Sequence, residues 1–440
     1  KDGASLEGGS LRIGVLSFDD NEYRGSTAIG YGGQTNDISW SLGANFSERY
    51  VAKKKIEKVF DTDGTLKEKQ DESDVRDSDD TSLSGSVTFQ LDEKSTLGVT
   101  GNYINTVRTE NQTEVDSEVN DDGEFELDGL ARDAVDIEQD SYKLGVVYTQ
   151  EYGEASKWEV TADYSKNKIT EDADKWERDD YESAEEFDAI ESEGASEKEF
   201  IFGASVSTDL DSGISVKAGL VASTKERDEM LVEYDVESDG FINGIDLLQT
   251  YDAKETRVDG FVMGEMELSN GGILELGVRV ENTDRTIENE VLNKDTSETH
   301  INPSAHYSYN LGEGGTFRAS LARTVRRPGF IQLSPTIESD EPEDGDSKQG
   351  NPDLEDEVSN GLDIGYEQRI QGNGIVGFNI FYRDVSNVIE DVGIYRVDGS
   401  TLYSYANTGD GETWGVEMDL NYPVTDQTGF FANYTFFYFP

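Results

Sequence analysis

A chain of 440 residues with 94 acidic and 37 basic side chains carries a formal net charge of −57, which excludes nucleic acid as a partner, since a phosphate backbone is neutralised by lysine and arginine. Hydrophobic residues are only 34%, no run approaches the ~18 apolar residues of a spanning helix, and the lack of cysteine removes thiol catalysis, thiolate metal sites and disulfides. The acid itself reads either as solvated surface or as recruitment of cations and cationic ligands.

Taken in order, residues 11–18 and 27–33 read as strands, and after a turn at 35–37 a third covers 38–50. Residues 51–80 read as a charged loop. In 83–91, Val87, Phe89 and Leu91 alternate with Ser86, Thr88 and Gln90. A turn at 92–94 leads into 96–108, and an acidic loop covers 109–139. Strands 141–150 and 157–169 flank the turn 151–156; the acidic loop 170–196 follows, with a candidate helical turn at 183–190. Strands 200–210 and 214–224 flank 211–213, and a loop is centred on 235–251. Strands 257–268 and 273–288, 300–311 and 316–326, and 360–370 and 375–388 are likewise joined by short turns. Loops at 327–358 and 391–412 separate the later pairs, and strands 414–422 and 429–439 close the series.

Alternation is clearest late in the chain. Leu362, Ile364 and Tyr366 face one way and Gly361, Asp363, Gly365 and Glu367 the other, as successive strand side chains do. The polar face bears charges and glycines, and the segments reach the ~9–11 residues that cross a bilayer at a tilt. Short turns alternate with long connections throughout. The reading is an all-β fold, an antiparallel transmembrane β-barrel with short periplasmic turns and long extracellular loops. The 45 glycines, 21 tyrosines and 19 phenylalanines suit its packing and its aromatic girdles.

Several landmarks then fall in a fixed order. They are Gly277-Val278-Arg279-Val280-Glu281, Asn302-Pro303-Ser304, and Arg326-Arg327-Pro328-Gly329-Phe330 with Leu333 and Pro335. Gly350-Asn351-Pro352-Asp353-Leu354, residues 360–367, Phe381-Tyr382-Arg383-Asp384, Val388-Ile389, Asn407 and Gly415-Val416-Glu417 complete them. Together they resemble the second half of the barrel of TonB-dependent outer-membrane receptors. Such barrels have ~22 strands, against about 17 read here. The family's plug domain and energy-coupling box are not in this stretch. The expectation is therefore a single barrel domain over 1–440, incomplete at both ends, that would not insert stably alone. One position departs from the pattern: Asp356 stands where the family often has proline.

The resemblance implies a non-enzymatic transporter in a Gram-negative outer membrane, driven by the TonB complex through the plug. It would import a scarce solute, a ferric siderophore first, with an oligosaccharide or cobalamin as alternatives. A passive porin is the rival reading. Lipid, the solute and TonB are the expected partners, and no cofactor is required. Inward-facing Glu275, Arg279, Glu281, Arg318, Asp363, Glu367, Arg383, Glu417 and Asp419 are candidates for contact with the plug or the water-filled lumen. Trp176, Arg326, Arg327 and Asn351 are candidates for ligand contact from the loops, although Arg326 and Arg327 suit a structural role better. Asp235, Glu237, Asp239 and Asp246, around Gly240, match a calcium-loop spacing, or align by chance in so acidic a chain. His300 and His306, the only histidines, lack evident partners for a zinc site or a hydrolase triad.

Overall fold

The computed structural model describes residues 7–62, 64–120, 124–153, 156–178, 186–236, 242–341, 346–370, 374–397, 399–425 and 427–439. The strands are β1 (Gly8–Ser17), β2 (Tyr23–Gln34), β3 (Ile38–Phe60), β4 (Leu66–Asp92), β5 (Ser95–Val119), β6 (Phe125–Tyr152), β7 (Ser156–Arg178), β8 (Glu186–Asp209), β9 (Ile214–Val236) and β10 (Ile242–Glu267). There follow β11 (Ile273–Glu288), β12 (Asn293–Gly312) and β13 (Gly315–Arg326), and then a single helical turn, α1 (Phe330–Leu333). The last are β14 (Ile337–Glu341), β15 (Asp346–Gln349), β16 (Glu357–Ile370), β17 (Gly374–Ser386), β18 (Ile389–Tyr395), β19 (Thr401–Asn407), β20 (Gly411–Thr425) and β21 (Thr428–Tyr438).

Seventeen of these strands form one up-and-down sheet, while β14, β15, β19 and β18 form a small second sheet from the two long connections. Among the described residues no helix is long and apolar enough to cross a membrane, which says nothing of crossing by strands. The short turns fall where glycine, asparagine and aspartate predict them. In one, Glu313, Gly312 and Gly314 all take positive φ, a conformation that glycine adopts without a steric penalty.

The chain divides into two compact units. The first comprises residues 1–148, 162–200 and 225–252, and the second 149–161, 201–224 and 253–440. In the second unit the register lines up Leu276, Ala305, Leu321, Leu362, Tyr382, Trp414 and Tyr438 across seven strands. Leu276, Leu321 and Trp414 in this row are 43–55% exposed. One register step away, Glu275, His306, Ser320 and Asp363 lie opposite one another on the other face. An apolar exposed row backed by a polar one is what a sheet in lipid requires, because the hydrocarbon takes the place of a protein core.

In the first unit the acidic stretches expected as loops are strand. β3 runs on to Phe60 and β4 resumes at Leu66, closed by hydrogen bonds from Asp61 to Thr65 and from Gly64 to Asp61. The stretches 109–139, 170–196 and 235–251 likewise continue β5 to β10 wherever they are described, and residues 186–190 are strand, not helix. Cross-strand chemistry holds these ribbons: Lys53 faces Asp74, Lys55 faces Glu72, and Arg76 faces Glu110. At ~3.3 Å per residue, the 28 residues of β6 extend far beyond the ~9–11 that cross a bilayer. Both faces of a ribbon are polar, so the apolar alternation that marks a strand is missing there.

Candidate functional site

The long connection from β13 to β16 folds back onto the sheet, and its backbone is held at several points. Gly350 lies so close to Gln332 and Ser334 that a Cβ would come within 2.6 Å of the Ser334 backbone. The Asn351 amide donates to Gln332 O at 2.7 Å, and its side chain donates to Tyr405 O at 2.9 Å. Asn407 accepts from the Glu355 amide at 2.9 Å and donates to Asn387 O at 2.9 Å. Phe330, Leu333, Leu354 and Ile389 are buried among these loops. Asn351 and Asn407 are therefore braces between two connections.

This bracing delivers Asp356 to the sheet, where its side chain is 1% exposed. Its Oδ2 lies 3.0 Å from His300 Nε2 and 3.9 Å from Arg327 Nε, and its Oδ1 lies 3.5 Å from Arg285 Nη2. His300 Nε2 is also 3.3 Å from Glu298 Oε2. Each guanidinium has a closer carboxylate of its own. Arg285 donates from Nη2 and Nε to Glu255 at 2.9 and 3.2 Å. Arg327 donates to Glu281 at 2.7 Å and to Thr283 at 3.0 Å. Asn302 supports Glu281 through a 2.9 Å hydrogen bond. Glu298 lies fourteen residues from the Gly312 end of β12, beyond the segment that crosses the bilayer. Burial pushes its carboxyl above the usual carboxylate range, and the charge of Asp356 adds to this.

On the same face, toward the short turns, a cavity of about 530 Å³ is lined by Glu265, Glu275, His306, Arg318, Asp363, Glu367 and Asp419 among others. Five of the nine inward-facing candidates thus meet at one cavity. Arg318 pairs with Glu367 at 3.5 Å, and Arg383 with Asp363 at 2.9 Å. Glu417 accepts from Asn379 at 3.1 Å. Arg279 approaches the buried Asp259 at 3.7 Å, and Glu281 belongs to the Arg327 cluster above.

Of the remaining candidates, Trp176 and Asp246 lie on strands where the sequence predicts loops, while Arg326 is ion-paired, as a structural role requires. Trp176 lies on β7 rather than in a loop; it packs edge-on against Phe187 at 5.1 Å under the Arg132 guanidinium at 4.4 Å. Arg326 is paired with Glu357 at 3.2 Å. Of the calcium-loop set, Glu237 and Asp239 lie outside the described residues, and Asp246 lies on β10. The grouping of Glu298, His300 and Asp356 is not visible in sequence, because Asp356 is 56 residues from His300. Its one signal is the aspartate at the landmark's proline position.

A model described as the outer membrane protein beta-barrel family matches residues 149–440. No curated protein matches. Among solved structures, the siderophore receptor PirA from Pseudomonas aeruginosa is similar at 14% identity and TM-score 0.55, over 99% of this chain and 67% of its own. The siderophore receptor PiuA from Acinetobacter baumannii is similar at 15% identity and TM-score 0.63, over 99% and 64%. The copper transporter OprC is similar at 12% identity and TM-score 0.66, over 98% and 61%. The chain thus spans about two thirds or less of the length of these structures, and at such identities the likeness is one of fold.

Proposed function

The chain belongs to the outer membrane protein β-barrel family, and from that premise we propose that it forms the wall of a TonB-dependent receptor importing a scarce solute, a ferric siderophore first. The wall lies in the outer membrane. What carries the reading is that the fold likeness to two siderophore receptors and a copper transporter extends over 98–99% of this chain. The polar face supports it. Glu265, Glu275, Asp363, Glu367 and Asp419 against Arg318 give the cavity an excess of negative charge that suits the basic groups of a plug domain. The apolar row through Leu321 and Trp414 faces lipid. In this reading the protein binds and conducts its cargo and makes or breaks no covalent bond.

The test is uptake of a radiolabelled ferric siderophore panel by cells with and without the gene, in the presence or absence of a proton uncoupler. Import that requires both the gene and the proton gradient supports the reading. Gene-dependent entry that ignores the uncoupler would refute it in favour of a passive channel.

A further inference from the structure

We propose that His300 Nε2, Glu298 and Asp356 bind one divalent transition-metal ion of the zinc class, which pins the β13–β16 connection to β12. The three donor atoms lie within 4.8 Å of one another. His300 Nε2 stands 3.0 Å from one carboxylate oxygen and 3.3 Å from the other. With metal–nitrogen and metal–oxygen bonds of about 2.0–2.2 Å, neighbouring ligands of one ion sit about 3–3.5 Å apart. A single ring nitrogen facing two carboxylates is poorly served by one proton, which can point at only one of them.

The charge balance agrees. Arg285 is neutralised by Glu255 and Arg327 by Glu281, each at 2.7–2.9 Å, closer than either comes to Asp356. Counted together, Glu255, Glu281, Glu298 and Asp356 against Arg285 and Arg327 leave two more carboxyl groups than guanidiniums around His300, an excess that a divalent ion would offset. The buried Asp356 carboxylate is also under-satisfied: its Oδ1 accepts no hydrogen bond and has only the 3.5 Å ionic approach of Arg285, although buried carboxylate oxygens ordinarily accept one. One imidazole with two carboxylates suits a borderline ion such as zinc rather than calcium, which takes six to eight oxygens. Glu298 and His300 sit two apart on one face of β12, and Asp356 arrives from the long connection. Binding therefore cross-links two separate segments, and the inference stands whatever the cargo is.

The experiment is calorimetric titration of the chelator-treated full-length protein in detergent with zinc chloride, in excess calcium to occupy the many exposed carboxylates. Cobalt absorption in the visible serves as a second readout. The expected result is one zinc per chain, weakened at least about tenfold by Glu298→Gln and by His300→Gln, and unchanged by His306→Gln. Glu298 is 29% exposed, so its replacement is expected to leave the fold intact, to be checked by heat-modified migration on a gel. The proposal is overturned if no zinc site survives excess calcium. A site that persists in either the Glu298 or the His300 variant overturns it equally.

Discussion

Replacing Asp356 with alanine removes the group on which the β13–β16 connection is locked to the sheet. At an effective dielectric of ~20, the 3.5 Å approach to Arg285 and the 3.9 Å approach to Arg327 are each worth on the order of 4 kcal/mol of attraction before desolvation is deducted. Deleting one partner of a buried ionic group costs about 3–5 kcal/mol. The lower end applies here, because Glu255 and Glu281 still hold the two guanidiniums. A loss of about 3 kcal/mol raises the open population of the connection by ~10²-fold. The assay is tryptic cleavage at the exposed Lys348 of β15 in metal-free buffer, whose rate follows the open population when closing is fast. The control is Asp353→Ala, 82% exposed and paired with Lys294 at the surface, which should cost at most ~1 kcal/mol, roughly fivefold. Cleavage of the Asp356 variant within about twofold of the parent would refute the lock.

Gly350→Ala drives a Cβ into the Ser334 backbone and should cost ~1–3 kcal/mol, read by the same cleavage assay as acceleration at Lys348 with the sheet intact. Leu321→Arg places a charge mid-strand on the lipid face and should cost ~2–4 kcal/mol in folding into vesicles; Ser320→Arg, on the opposite face, should cost far less. The ribbons beyond the membrane should gain stability as pH falls from neutral toward ~4. Burial raises the Asp116 carboxyl, with Asp128 and Glu68 adding to it, and burial raises Glu171, with Glu110 adding. A carboxyl raised in the folded state stabilises fully below its unfolded value near ~4, and that contribution is lost as pH rises through the folded value. Asp20, held low by the Tyr50 hydroxyl, works in the opposite sense only at still lower pH. Amide exchange in the outer halves of β5 and β7, corrected for the intrinsic pH effect, checks the sign; faster opening at pH 5 would contradict it.

The crossing portion of the fold was legible because lipid enforces the alternation. Ile364 and Tyr366 must be greasy and Asp363 need not be, and the turns between such segments need glycine or asparagine. The ribbons were illegible for the converse reason. In the ribbons charge appears on both faces, with Lys53 opposite Asp74 on one and Lys54 opposite Ser73 on the other, and such a pattern reads as loop. Much of the polar face could be read as well, since Glu275, Arg318, Asp363, Glu367 and Asp419 follow from strand parity alone. The Asp356 cluster could not, because parity does not reveal which residue of a long connection folds inward. Asn351 and Asn407 stood out as landmarks, but only the structure shows that they hydrogen-bond one loop to the next.

The two-sided polarity of the ribbons bears on how this protein can change over generations. A strand with one greasy face forbids a slip of one residue, since every side chain would then face the wrong medium. Above the membrane that penalty vanishes, so residues added in equal number to both arms of a hairpin such as β3–β4 lengthen it at its tip. The rows facing lipid keep their register. Ribbon height is therefore set only by the number of paired residues, whereas the length of the crossing segments is fixed by the thickness of the bilayer.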